Sequence, residues 1–222
     1  LLGLSAASSS FAADYFVESA AALQAALDQT VAGDAIIVKN GSYAFASPVV
    51  IKRSGELGKS VVIKAETVGG VTVGGTHGFK FEAPASHVTV EGFRFIHADA
   101  INIPGGTHHI RLTRNFIALT IAPGTDVSFI NIAGDDVEID RNELAHKSTL
   151  GEMLDVTGTG SQVARRLWVH HNYFHDFKNA GGNGAETIRL GLSGLSMSTG
   201  GAIVEYNLFE RCNGENELIS NK

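Results

Sequence analysis

Glu215 and Glu217 stand two residues apart in the run Arg211-Cys212-Asn213-Gly214-Glu215-Asn216-Glu217-Leu218-Ile219-Ser220-Asn221-Lys222. On a strand, that spacing sends both carboxylates out of the same face. Two carboxylates so placed repel each other unless something positive lies between them. A hard cation with oxygen ligands meets that need, and the amide oxygen of Asn183, one repeat earlier in the polar loop 179–189, would complete the set. The same Glu-x-Glu pattern also suits a plain solvated face, and Lys222 alone is an ordinary strand-end lysine. Three histidines, His170, His171 and His175, cluster around one repeat and suggest zinc or acid–base work, with His171 facing outward as a solvated or substrate-contacting residue. His108-His109 reads as plain surface. Lys147 and Arg165-Arg166 are candidates for a basic groove, Trp168 reads as core, and Cys212 reads as a small core hydrophobe rather than a reactive thiol.

Such residues need a scaffold that brings distant parts of the chain together, and the chain repeats itself from Val61 onward. An apolar-x-apolar-x-x-Asn-x-apolar theme recurs around Phe93, Asn115, Asn142, Asn172 and Asn207, at intervals of 22, 27, 30 and 35 residues. Each interval fits one coil of a solenoid whose insertions lengthen toward the C-terminal coils. A second short strand follows each copy, at 101–103, 129–132, 153–156, 187–190 and 217–219. Single strands of this kind bury nothing, whereas stacked coils bury one continuous core. The recurring asparagines are expected to stack at a turn and to bond along the ladder. Upstream, Ala21, Leu23, Ala26 and Leu27 form the apolar stripe of a helix over 18–28, with Ser19 as N-cap and Gly33 as a stop; it would close one end of the solenoid. Ala35-Ile36-Ile37-Val38 and Val49-Val50-Ile51 read as the first strands. The expected fold is therefore all-β, a right-handed parallel β-helix with an N-terminal capping helix.

Bulk properties narrow the partners. A formal net charge of −6 speaks against nucleic acid, which needs a basic surface, while a local basic cleft would still admit an anionic polysaccharide. One cysteine excludes an internal disulfide framework. Leu1-Leu2-Gly3-Leu4-Ser5-Ala6-Ala7, a serine run and then Phe11-Ala12 resemble the apolar part and cleavage region of a signal peptide, so residues 1–12 read as its remnant in a secreted or periplasmic protein. No later stretch approaches the ~20 apolar residues of a membrane span.

The block Asn183-Gly184-Ala185-Glu186-Thr187-Ile188-Arg189-Leu190-Gly191, taken with Asn213-Gly214-Glu215-Asn216-Glu217-Leu218-Ile219-Ser220-Asn221-Lys222, resembles the signature of polysaccharide lyase family 6. That family contains alginate lyases and the dermatan-sulfate-cleaving chondroitinase B. The resemblance implies that Asn183, Glu215 and Glu217 bind Ca2+, that Lys222 is the Brønsted base, that Arg189 contacts substrate, and that an acid arginine lies beyond Lys222. It implies a calcium-dependent lyase acting on alginate by β-elimination, with dermatan sulfate as the rival substrate and a non-catalytic carbohydrate-binding β-helix as the rival class. On this reading residues 13–222 are the N-terminal part of a lyase domain cut short at its C-terminus, and this piece alone is expected to be inactive and prone to aggregate.

Overall fold

The computed structural model describes residues 12–178 and 182–222, and the leader expected over 1–12 lies, apart from Ala12, outside them. Strands of two to six residues recur in a fixed order and pair in parallel with their counterparts one coil away, which winds the chain into a parallel β-helix. The first sheet has eight strands, from Asp14–Val17 to Ile203–Glu205; the second has seven, ending on Leu208–Asn213; the third has five, from Ile101–Ile103 to Ile219–Asn221. Alternation fills the lumen: Ile101, Ile130, Leu154 and Ile188 on the third sheet meet Val88, Ile110, Leu112, Ile139 and Val169 on the first, all at most 3% exposed.

The helix runs from Ala20 to Gln29, with Ser19 Oγ accepting from Ala22 N at 3.1 Å and with Leu23, Ala26 and Leu27 buried. Its C-terminus comes before Gly33, at Thr30, whose N–H reaches Ala26 O. Gln24 shows the capping role: its amide accepts from Val50 N at 2.7 Å and donates to Val50 O at 3.2 Å, satisfying a strand that would otherwise present bare polar groups.

The asparagine ladder stands at the corner between the first and second sheets. Asn115 Oδ1 accepts from Phe93 N, Asn142 Oδ1 from Asn115 N, Asn172 Oδ1 from Asn142 N and Asn207 Oδ1 from Asn172 N, each at 2.9 Å. Each asparagine Nδ2 also donates to a carbonyl of the preceding strand, as Asn142 does to Leu112 O at 2.8 Å. The left-handed backbone belongs to the residue before Phe93 and before each asparagine, Gly92, Arg114, Arg141, His171 and Tyr206 (φ 54–82°), not to the asparagine itself. A non-glycine residue there costs about 1 kcal/mol or more, and the buried amide bonds offset it.

Several expectations are corrected. Glu215 and Glu217 are not on a strand: residues 214–216 form a bend, and the strand begins at Ile219. Trp168 is 41% exposed because its neighbours Leu167 and Val169 take the inward positions; its indole donates to Glu205 at 3.0 Å. Lys147 lines no groove. It is 1% exposed, and its ammonium donates to Val127 O, Thr149 Oγ1 and Leu150 O at 2.8–2.9 Å. Arg165 and Arg166 are bound to Asp135 and Asp136 on the preceding coil.

Candidate active site on the third sheet

Register brings together residues that lie about 30 positions apart. On the third sheet Asn131 pairs with Asp155, Asp155 with Arg189 and Arg189 with Ser220, so these four form one outward column. Two residues ahead of the strand starts, each coil contributes one further side chain: Ser128, Glu152, Glu186 and Glu217. The second column carries most of the charge of the site.

Glu186 is its centre. The residue is 1% exposed; its Oε1 accepts from Ser220 Oγ at 2.9 Å and lies 3.1 Å from Lys222 Nζ, while its Oε2 is buried with no hydrogen-bond partner. Lys222 Nζ lies 3.6 Å from Glu217 Oε2 as well. The bend at 214–216 turns Glu215 back one coil, where its Oε2 accepts from Gly184 N at 2.6 Å and Ala185 N at 2.8 Å. Close packing forces that bend: a Cβ on Gly214 would sit 2.1 Å from Ala185 O and 2.7 Å from the Phe177 ring. Glu186, Glu215 and Glu217 can each place a carboxylate oxygen within 4.8 Å of the others. Asn183 opens the segment that Glu215 grips, with its own residue exposed.

Three carboxylates against one ammonium leave the cluster with excess negative charge. The hydrogen bond that Lys222 donates to Glu186 holds its ammonium above the usual lysine range, with Glu217 adding to it. Burial works to raise the Glu186 carboxyl, but its own backbone N–H, Lys222 and Ser220 outweigh that and keep it low. A buried, charged carboxylate oxygen with no donor, beside two further carboxylates, is the donor chemistry of a hard cation. The residues present therefore fit calcium.

Arg189 faces the same surface but is already engaged. Its guanidinium spans Asp155, at 3.0 and 2.9 Å, and also pairs with Glu152 Oε1. Burial lifts the Glu152 carboxyl to about 7. Its other oxygen accepts from Ser128 Oγ at 2.6 Å. His171 is not brought here: it occupies the asparagine corner, its ring tilted against Tyr206 at 5.3 Å, beyond the far end of the strand Tyr173–Lys178. Thus Glu215, Glu217 and Lys222 meet, Asn183 heads the loop that Glu215 binds, Arg189 stands one rung away and His171 stands apart. Glu186 and Glu152 escape sequence reasoning; the signal that would have caught them is one polar residue two places before every third-sheet strand. Beside Lys222 opens a cavity of about 340 Å3, lined by Val156, Leu190, Leu195 and Asn221.

The coil architecture with acids and a lysine on one outward face defines a class, the parallel β-helix proteins that carry their chemistry on a sheet surface. The chondroitinase B family model matches residues 17–222, and the chain belongs to that family. Among solved structures, the family 6 alginate lyase AlyGC is 27% identical, with a TM-score of 0.85 over 94% of this chain and 30% of that one. A mannuronic-acid-specific family 6 lyase from human gut microbiota is 26% identical, with a TM-score of 0.80 over 95% of this chain and 51% of that one. The family 6 polysaccharide lyase Pedsa3628 from Pseudopedobacter saltans shares the fold at 23% identity, with a TM-score of 0.78 over 94% of this chain and 49% of that one. The chain thus spans 30% to 51% of the length of these proteins. No curated protein matches it.

Proposed function

We propose that the protein is a calcium-dependent polysaccharide lyase that cleaves alginate by β-elimination. The observation that carries this reading is Lys222 Nζ held 3.1 Å from Glu186 and 3.6 Å from Glu217 within the carboxylate cluster. A uronate has a weakly acidic hydrogen at C5 because the neighbouring carboxylate accepts the charge left behind. Lys222 Nζ takes that proton in this reading. The C5–H electron pair then forms the C4–C5 double bond as the C4–oxygen bond breaks, and the departing oxygen takes up a proton from a donor. Calcium, held by Asn183, Glu215 and Glu217 with Glu186 beside them, would supply positive charge opposite the substrate carboxylate. Neutral lysine is the competent form, so the carboxylates that hold the ammonium must be drawn elsewhere before Lys222 acts as a base. Arg189, fixed by Asp155 and Glu152, presents a guanidinium one rung away, where it suits a second sugar carboxylate. The apolar leader supports placing the protein outside the cytoplasm, where such polymers occur.

Alginate is preferred because two solved relatives above 25% identity are described as an alginate lyase and a mannuronic-acid-specific lyase. Dermatan sulfate is the second reading, favoured by the family match itself. Ultraviolet absorbance of the unsaturated product, measured on the full-length protein with alginate, polymannuronate, polyguluronate and dermatan sulfate, separates them. Product from alginate and its blocks supports the first reading, and product from dermatan sulfate alone supports the second. Sugar binding that survives Lys222→Ala, with no product at any calcium level, would make the protein a binding solenoid instead.

A further inference from the structure

At the corner between the third and first sheets, two coils place three histidines together. His108 and His109 open the strand His108–Thr113, and its register with the strand Ser86–Glu91 sets His109 beside His87. The His87 and His109 rings stack at 4.3 Å, and His108 stands edge-on to them at 5.6 and 5.0 Å. Ring nitrogens of all three come within 4.8 Å of one another, and the Nδ1 atoms of His108 and His109 are only 2.8 Å apart. His87 is half-buried and the other two are exposed.

We propose that His87, His108 and His109 form a second metal site, selective for a borderline divalent transition metal, that staples two consecutive coils. Three imidazoles suit zinc, nickel or copper, whereas calcium demands oxygen donors. A tetrahedral zinc at 2.0–2.1 Å would hold its nitrogens about 3.4 Å apart. The Nδ1 pair of His108 and His109 must therefore open by about 0.6 Å and the wider nitrogen separations close by up to about 1.4 Å, shifts that ordinary side-chain rotation achieves at this exposed corner. The left-handed backbone at His87 and His109 is shared by Asp136 and Arg166, the next residues of that corner column. What sets the site apart is histidine at two successive rungs with a third beside them. Asp136 Oδ2 lies 3.9 Å from His109 Nδ1, and both its oxygens accept from Arg166 at 2.5 and 2.7 Å, so it serves as an orienting neighbour rather than a ligand.

The test is calorimetric titration of the full chain with zinc chloride, in excess calcium so that hard oxygen sites are filled. One equivalent of zinc is expected, together with a rise in Tm on zinc addition. His87→Asn/His109→Asn, which keeps residues that tolerate the left-handed backbone, should weaken zinc binding by at least about tenfold, the scale that losing even an outer partner costs. It should also abolish the Tm rise. His170→Gln disrupts a histidine–carboxylate group elsewhere on the coils, Glu138, Asp140 and His170, and should leave zinc binding unchanged, as should Lys222→Ala. Equal zinc binding by the parent and the double variant, or binding lost with His170→Gln instead, would overturn the site. Because the readout is zinc affinity, its failure leaves the lyase reading untouched, and the reverse holds too.

Discussion

Glu186 shows how little of a site's electrostatics can be read from residue types alone. It sits in the same short block as Asn183 and Arg189, yet its partners, Ser220 and Lys222, are 34 and 36 residues away and meet it only through register. Arg189 is the converse case, a side chain expected to contact substrate that first serves to neutralise two buried acids. Arg189→Met leaves Glu152 and Asp155 buried without their cation and is expected to lower stability by about 3 kcal/mol, the scale for breaking a buried ion pair; urea denaturation measures it. The triple variant that also carries Glu152→Gln and Asp155→Asn should regain most of that loss. His97 gives a second residue-scale prediction. It is 0% exposed and packs under Gly78, where any Cβ would strike its ring, and burial pulls it from 6.5 to about 4. A folded-state value below the unfolded one means that the unfolded chain binds the extra proton as pH falls. The His97 contribution is therefore full above pH 6.5 and drains away toward pH 4, by up to about 3 kcal/mol. Stability curves at pH 7 and pH 4.5 should differ less in His97→Leu than in the parent.

At the scale of elements, the corners do the organising. The asparagine ladder is a chain of side-chain bonds along the solenoid axis, and each member supplies both an acceptor and a donor. Asn142→Ala strips the acceptor from Asn115 N and Nδ2 and the donor from Leu112 O, all buried, and is expected to cost about 3 kcal/mol by denaturant titration. An exposed control such as Asn102→Ala should change stability by less than about 0.5 kcal/mol. This ladder, the coil repeat and the capping helix are legible in the sequence because each leaves a period or a cap signal in the chain. The bend at Glu215 was not legible. Glu-x-Glu next to an apolar run has the alternation of a strand, and only the crowding of Gly214 against Ala185 and Phe177, two residues of the preceding coil, breaks it. Trp168 misled for a related reason: a strand buried on one face places its largest aromatic on either side with equal ease, and the register of Leu167 and Val169 decides. Lys147 looked like surface because lysine usually is, and its burial rests on two carbonyls and a hydroxyl that no local pattern announces.

At the scale of the whole molecule, one face gathers the chemistry. The third sheet carries Asn102, Asn131, Asp155 and Arg189 in a single outward column, with Lys222 at its last coil. A further cavity of about 590 Å3 lies along the same face, between Lys80, Asp99 and Asn102. A long surface of this kind suits an extended polymer better than a small molecule. Removing calcium with a chelator is expected to abolish cleavage and to lower Tm, and re-adding calcium, but not magnesium, should restore both, since magnesium demands a tighter octahedral set of ligands. The central claim is that Lys222, set among Glu186, Glu215 and Glu217, abstracts the proton that starts β-elimination. The measurement that reaches it most directly is the initial rate of unsaturated-uronate formation from alginate by the full-length protein and its Lys222→Ala variant, at saturating calcium and with folding checked by circular dichroism. The predicted result is a loss of at least about a hundredfold in kcat, the lower end of what a positioned base supplies, with the fold and calcium affinity retained. A Lys222→Ala variant that releases unsaturated product at the parent rate would contradict it.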